Sequence, residues 1–134
     1  MINFLGVRLD SVDAKREKDA PVKGVGININ VEDIRATGTE LMIEFVYSVT
    51  YEDVGYLKMS GIVFANGTDK EVKELEEKWK KEKKLSEEVA QPLLNLINYS
   101  SGINGVLVTR AINLAPPLIP PRIEVSAKGA KSKQ

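Results

Sequence analysis

Carboxylates are the most plentiful groups here that could do chemistry: Asp10, Asp13, Glu32, Asp33, Glu40, Glu44, Glu52 and Asp53 all fall in the first half of the chain. Glu32-Asp33 and Glu52-Asp53 offer the oxygen ligands a divalent cation takes, but neither pair sits in an EF-hand spacing with its glycine and terminal glutamate. Solvation at turns accounts for both. Glu44 differs in standing mid-strand, where an exposed sheet face or a subunit contact with Lys58 explains it without catalysis. Histidine and cysteine are both absent, which removes the commonest general base, the thiolate and the usual ligands of zinc, haem and iron-sulfur centres. Serines and lysines therefore have no imidazole to activate them, and no Ser-Lys or Schiff-base motif appears. Gly102-Ile103-Asn104-Gly105 lacks the Lys-Ser or Lys-Thr of a phosphate loop, and Gly24-Val25-Gly26 leads into a strand instead of opening a helix. The expectation is a protein that is not an enzyme and holds no metal or cofactor.

The elements that would position any site follow from the hydrophobic period. With 134 residues, 43% hydrophobic and 28% charged, the chain is one soluble globular domain by size and composition. Lys plus Arg equals Asp plus Glu, 19 each, so no global field recruits nucleic acid or an anionic membrane. No stretch reaches the roughly 18 to 20 apolar residues of a membrane-spanning helix, and Met1 to Gly6 runs straight into strand-like sequence without the pattern of a signal peptide. A cytoplasmic protein is expected.

Leu5, Val7 and Leu9 alternate within a first strand, Asn3 to Val12, and charged Asp13 to Lys23 then reads as an exposed connection. Val25, Ile27, Ile29 and Val31 mark a second strand, and Ala36 to Thr39 a turn. In a long third strand Leu41, Ile43, Phe45, Tyr47, Val49 and Tyr51 share one face, with Met42, Glu44, Val46, Ser48 and Thr50 on the other. A turn at Glu52 to Gly55 leads to a fourth strand, Tyr56 to Ala65, ending at Asn66-Gly67. Short connections imply antiparallel pairing.

From Thr68 the period becomes helical. A charged helix, 69–84, carries the thin stripe Val72, Leu75 and Trp79, with Trp79 as its anchor. A second helix is predicted from Ser86 with the stripe Val89, Leu93, Leu96, Ser100, Ile103, Leu107, Ala111 and Leu114. Pro92 either stands in its first turn or kinks it. Gly102 and Gly105 fit two helices with a break, a strand through Val106 to Thr109, or one continuous helix approached closely by another backbone, since each helical glycine costs about 1 kcal/mol against alanine. Pro116, Pro117, Pro120 and Pro121 hold Leu118, Ile119, Ile123 and Val125 in an extended segment. Residues 126–134 form a flexible basic tail. The fold class is α+β, a four-stranded antiparallel sheet packed against a long C-terminal helix, in one domain spanning 1–125.

Strands three and four carry bulky residues on both faces, while the long helix has one broad stripe to cover them. The second face, with Met42 and Val46, is therefore expected to serve as a binding or subunit surface.

Two stretches resemble the SecB family of protein-export chaperones. Ser60-Gly61-Ile62-Val63-Phe64 is similar to the family's Gly-Ile-Phe strand. Pro92-Leu93-Leu94-Asn95 through Arg110 to Leu118-Ile119-Pro120-Pro121-Arg122-Ile123 is similar to its main helix and the segment after it. The resemblance spans roughly Phe4 to Val125. It implies a homo-oligomer, dimer or tetramer, that binds unfolded or nascent polypeptides in apolar grooves without cofactor or turnover. By position Ile62, Phe64, Leu118, Ile119 and Ile123 would line or flank the groove. Ser101 and Gly105 would become close helix contacts in a continuous helix, joining Met42 and Val46 at subunit interfaces. The charged helix 69–84 replaces a shorter loop of the family, and a basic tail stands where the family has a further helix and an acidic end, so handover to an export motor is not implied.

Overall fold

A computed structural model describes residues 1–117, 123–126 and 129–132. Four strands, β1 (Asn3–Arg16), β2 (Val25–Thr37), β3 (Glu40–Tyr51) and β4 (Gly55–Asn66), precede two helices, α1 (Asp69–Glu82) and α2 (Glu87–Ala111). Two short strands follow, β5 (Ile123–Ser126) and β6 (Gly129–Ser132). The α+β class and the four-stranded antiparallel sheet are as the alternation of β3 and β4 requires.

The sheet order is β1-β4-β3-β2. Tight turns at Gly38, with φ 62°, and at Asp53, with φ 61°, make hairpins of β2-β3 and β3-β4. Residues 17–24 instead carry the chain across the sheet end, so β1 pairs with β4 and leaves β2 on the far edge. That crossing is held by Val54, whose carbonyl accepts from the amides of Glu17 and Lys18 at 2.7 and 3.1 Å.

β1 is longer than its hydrophobic alternation indicates. Asp13 to Arg16 stay in the ladder opposite Lys58, Leu57, Tyr56 and Gly55, because Asp13 and Lys15 fall on the face that neither helix packs against, while on the other face Ala14 is apolar and Arg16 donates to the carbonyls of Ile112 and Asn113. A register shift between Leu9 and Ser11 resets the alternation, which is why a period-2 reading ends there. β2 likewise continues through a shift between Val31 and Asp33 to Thr37.

One face of the sheet carries the core. Leu41, Ile43, Phe45, Tyr47, Val49 and Tyr51 of β3 are each at most 1% exposed and pack with Leu57, Met59 and Val63 of β4. Each such side chain contributes about 1.5–3 kcal/mol by leaving water. Val72 and Trp79 of α1, with Leu93, Leu94 and Ile97 of α2, complete the same cluster. Thr68 caps α1 reciprocally: its hydroxyl accepts from the Glu71 amide at 3.1 Å, and its own amide donates to the Glu71 carboxylate at 3.0 Å.

α2 is a single helix of 25 residues, with Pro92 in its second turn and no break at Gly102 or Gly105. Its buried face follows the stripe that the period selects at Leu93 and departs from it further along. Beyond Asn98 the buried residues of the helix are small, Ser101, Gly102, Gly105 and Thr109, whereas Ile103 and Leu107 are 48% and 72% exposed. Close packing decides the matter. A Cβ at position 105 would fall 2.7 Å from Pro117 Cγ and 3.2 Å from Leu57 Cδ2, so only glycine lets the helix, the sheet and the proline segment meet there.

The described residues include no helix long and apolar enough to cross a membrane. β5 and β6 pair antiparallel, and β5 lies against α2 while β6 lies against β2.

A bare sheet face as the candidate functional site

Opposite the core, the second face of the sheet is built from the alternate residues of all four strands. The register sets them in rows. Arg35, Met42, Phe64 and Gly6 form one, Asp33, Glu44, Ile62 and Arg8 the next, and Asn30, Val46, Ser60 and Ser11 a third. Met42, Phe64, Ile62 and Val46 thus meet on the two central strands. None of the four belongs to the core cluster that the helices complete. Ile62 is 8% exposed, screened by long neighbours on its row, and the other three are half-buried.

The flanks are charged and mutually satisfied. Arg35 reaches Glu44 at 2.8 Å and lies 3.9 Å from Asp33. Arg8 donates to Asp10 at 2.6 Å and sets its guanidinium 5.4 Å from the centre of the Phe64 ring. Tyr56 donates to Asp13 at 3.2 Å. Arg8 therefore lies over part of the apolar centre, while Arg35 stands at its edge with Glu44. The remainder of the face, with Asn28, Ser48, Lys58 and Thr50, is polar. The uncovered apolar area is therefore smaller than the bulk of β3 and β4 suggests.

Glu44 pairs with Arg35 and sits opposite Ile62 instead of Lys58. Glu32-Asp33 and Glu52-Asp53 remain at a bulge and a turn, and no group of three or more carboxylates gathers as a cation site among the described residues.

Ile62 and Phe64 come together with Met42 and Val46, which joins two of the expected client-binding residues to two of the expected interface residues in one patch. Ser101 and Gly105 lie apart from it, under α2 and against the chain's own sheet. The Ser101 hydroxyl is fully buried and unpartnered among the described residues. Leu118 and Ile119 lie outside the described residues, and Ile123 opens β5.

The segment after α2 is pinned to the core face. Arg16 of β1 donates to the carbonyls of Ile112, at 2.9 Å, and Asn113. Tyr51 donates to the Ala115 carbonyl, and Tyr47 to that of Pro117 at 3.5 Å. Burial pushes both phenols above their ordinary range, Tyr47 the further.

A second apolar surface has little trace in the helical period. Tyr99, Ile103 and Leu107 stand 69%, 48% and 72% exposed along one side of α2, beside Val7 and Leu9 of β1. The signal that identifies it is the row of small residues at 101, 102, 105 and 109. That row claims the buried side of the helix and turns the large residues outward.

The chain matches no family model and no curated protein sequence.

Proposed function

We propose that this chain is a non-enzymatic chaperone of the holdase kind, cytoplasmic and without cofactor, which binds unfolded or nascent polypeptide on the bare face of its sheet. The observation that carries this reading is the gathering of Met42, Val46, Ile62 and Phe64 on a face that neither helix packs against. Apolar groups left at a sheet centre and rimmed by paired charges mark a surface for binding. The rim also limits what binds: Arg8 and Arg35 are already engaged by Asp10 and Glu44, so the face attracts by apolar contact more than by charge. Likeness to SecB in strand, helix and proline-segment order supports the same reading and extends it to a homo-oligomer, dimer or tetramer, that assists protein export. Balanced charge argues against a nucleic-acid partner.

The small size of the patch favours one other reading, an assembly subunit that docks a single folded partner on the same face. Light scattering separates the two. A stoichiometric excess of the chain should suppress aggregation of several unrelated unfolding proteins. Suppression of none of them would overturn the chaperone reading.

A further inference from the structure

The segment that leaves α2 is anchored first and then laid against the sheet without pairing to it. The Leu114 amide donates to the Thr109 carbonyl at 2.9 Å, Asn113 turns the chain with φ 58°, and Arg16 holds the carbonyls of Ile112 and Asn113. Beyond that anchor Ala115, Pro116 and Pro117 join no strand, and among the described residues no backbone–backbone hydrogen bond reaches them. Pro116 and Pro117 have no N–H to give. Side chains that address carbonyls hold the three residues instead: the Tyr51 hydroxyl donates to Ala115, and the Tyr47 hydroxyl to Pro117 at 3.5 Å.

Sequence and burial both fit a polyproline II segment. Each proline fixes its own φ near −65° and presses the residue before it into extended backbone. A polyproline II helix turns once in three residues, and burial follows that period: Leu114 and Pro117 are buried, while Ala115 and Pro116 between them are exposed. Pro117 enters a slot between the sheet and α2, with the buried Tyr47, Tyr51 and Leu57 on the sheet side. Gly105 cuts the other wall to fit the ring, since a Cβ there would lie 2.7 Å from Pro117 Cγ and 3.2 Å from its Cδ.

Aromatic grooves that dock an extended proline segment are a recurring mode of peptide recognition. We infer that this slot is a recognition site for proline-rich extended segments, filled in cis by Ala115-Pro116-Pro117 and open to an Xaa-Pro-Pro segment of another polypeptide in its place. The contacts make the occupant exchangeable. The slot reads a proline ring and backbone carbonyls, neither of which is particular to this chain, and no ladder has to break for the segment to leave. The two buried hydroxyls need acceptors, because an unpaired buried donor is costly, so replacement is favoured over vacancy. A tethered segment competes at an effective concentration that is roughly millimolar, which makes residues 115–117 the inhibitor of their own site. The slot lies on the core side of the sheet, opposite Met42, Val46, Ile62 and Phe64, and does not depend on what those residues bind.

A fluorescein-labelled peptide with the sequence of residues 112–122, titrated against the full chain by fluorescence anisotropy, is the test. The unmodified chain should bind it weakly, because the cis segment competes. Pro116→Gly/Pro117→Gly loosens that segment and should bind the peptide at least tenfold more tightly. Pro117→Ala disturbs the fold less and should shift the affinity in the same direction. In the loosened chain Tyr51→Phe should weaken binding about fivefold, the worth of one hydrogen bond, and Gly105→Ala at least tenfold by filling the slot. A peptide with alanine at all four proline positions should bind at least tenfold more weakly. Phe64→Ser, on the opposite face, should leave peptide binding unchanged, which keeps this site separable from client binding there. Equal binding of the alanine peptide, or loosened chains that bind no more tightly than the unmodified one, would overturn the inference.

Discussion

Phe45 and Val46 are neighbours in sequence and opposites in surroundings. Phe45 is 1% exposed among core residues from both helices, whereas Val46 is half-buried on the face that no helix packs against. The same contrast runs along the whole of β3: six large residues are sealed on one side, and Met42, Glu44, Val46, Ser48 and Thr50 stand on the other. Stability in this protein resides on the first face. The second is free to carry residues chosen for what they touch outside the chain.

The contrast is broken most easily at Phe45. Phe45→Ala should cost about 3–5 kcal/mol, as large-to-small changes do in a packed core, and Val46→Ala less than about 1 kcal/mol, both read from urea unfolding with unchanged m. Equal costs would mean that something covers the second face. Gly61→Val should cost about 3 kcal/mol or more, since a Cβ on Gly61 would overlap the Arg8 carbonyl of β1 and backbone cannot yield as a side chain does.

The extent of β3 and β4 and the α+β class were legible because period-2 alternation survives wherever pairing is regular and one face is dry. The bulges were not. At Leu9 and Ser11 the alternation resets without any residue that announces it, so β1 seemed to end four residues early. The buried side of α2 was misjudged for a different reason. Periodicity weighs side chains by hydrophobicity, but the Leu57 and Pro117 contacts at Gly105 are set by how closely backbones approach. The site was half legible: Ile62 and Phe64 follow from strand phase, whereas their union with Met42 and Val46 needs the β3-β4 register.

A smaller effect sharpens the contrast from the core side. Tyr51→Phe removes the hydrogen bond to Ala115 and should cost about 1 kcal/mol. Both buried tyrosines titrate above the ordinary value of 10.0 in the folded state. Their contribution is therefore complete below pH 10 and is lost as pH rises from there toward the folded values, because the unfolded chain ionises first. Alkaline unfolding curves should show this loss, and Tyr47→Phe/Tyr51→Phe should flatten it. A change no larger than this is expected on the bare face, where Phe64→Ser should shift the melting midpoint by only a few degrees.

A photo-activated cross-linker decides whether that face is the working surface. Placed at position 64, on the bare face, and separately at Lys73, on the exposed side of α1, it is activated while a chemically unfolded protein is diluted into the mixture. Capture of the unfolded chain from position 64 and little from position 73 is the result expected. Equal capture from both, or none from position 64, would contradict the claim that this protein binds its partners on the uncovered side of its sheet.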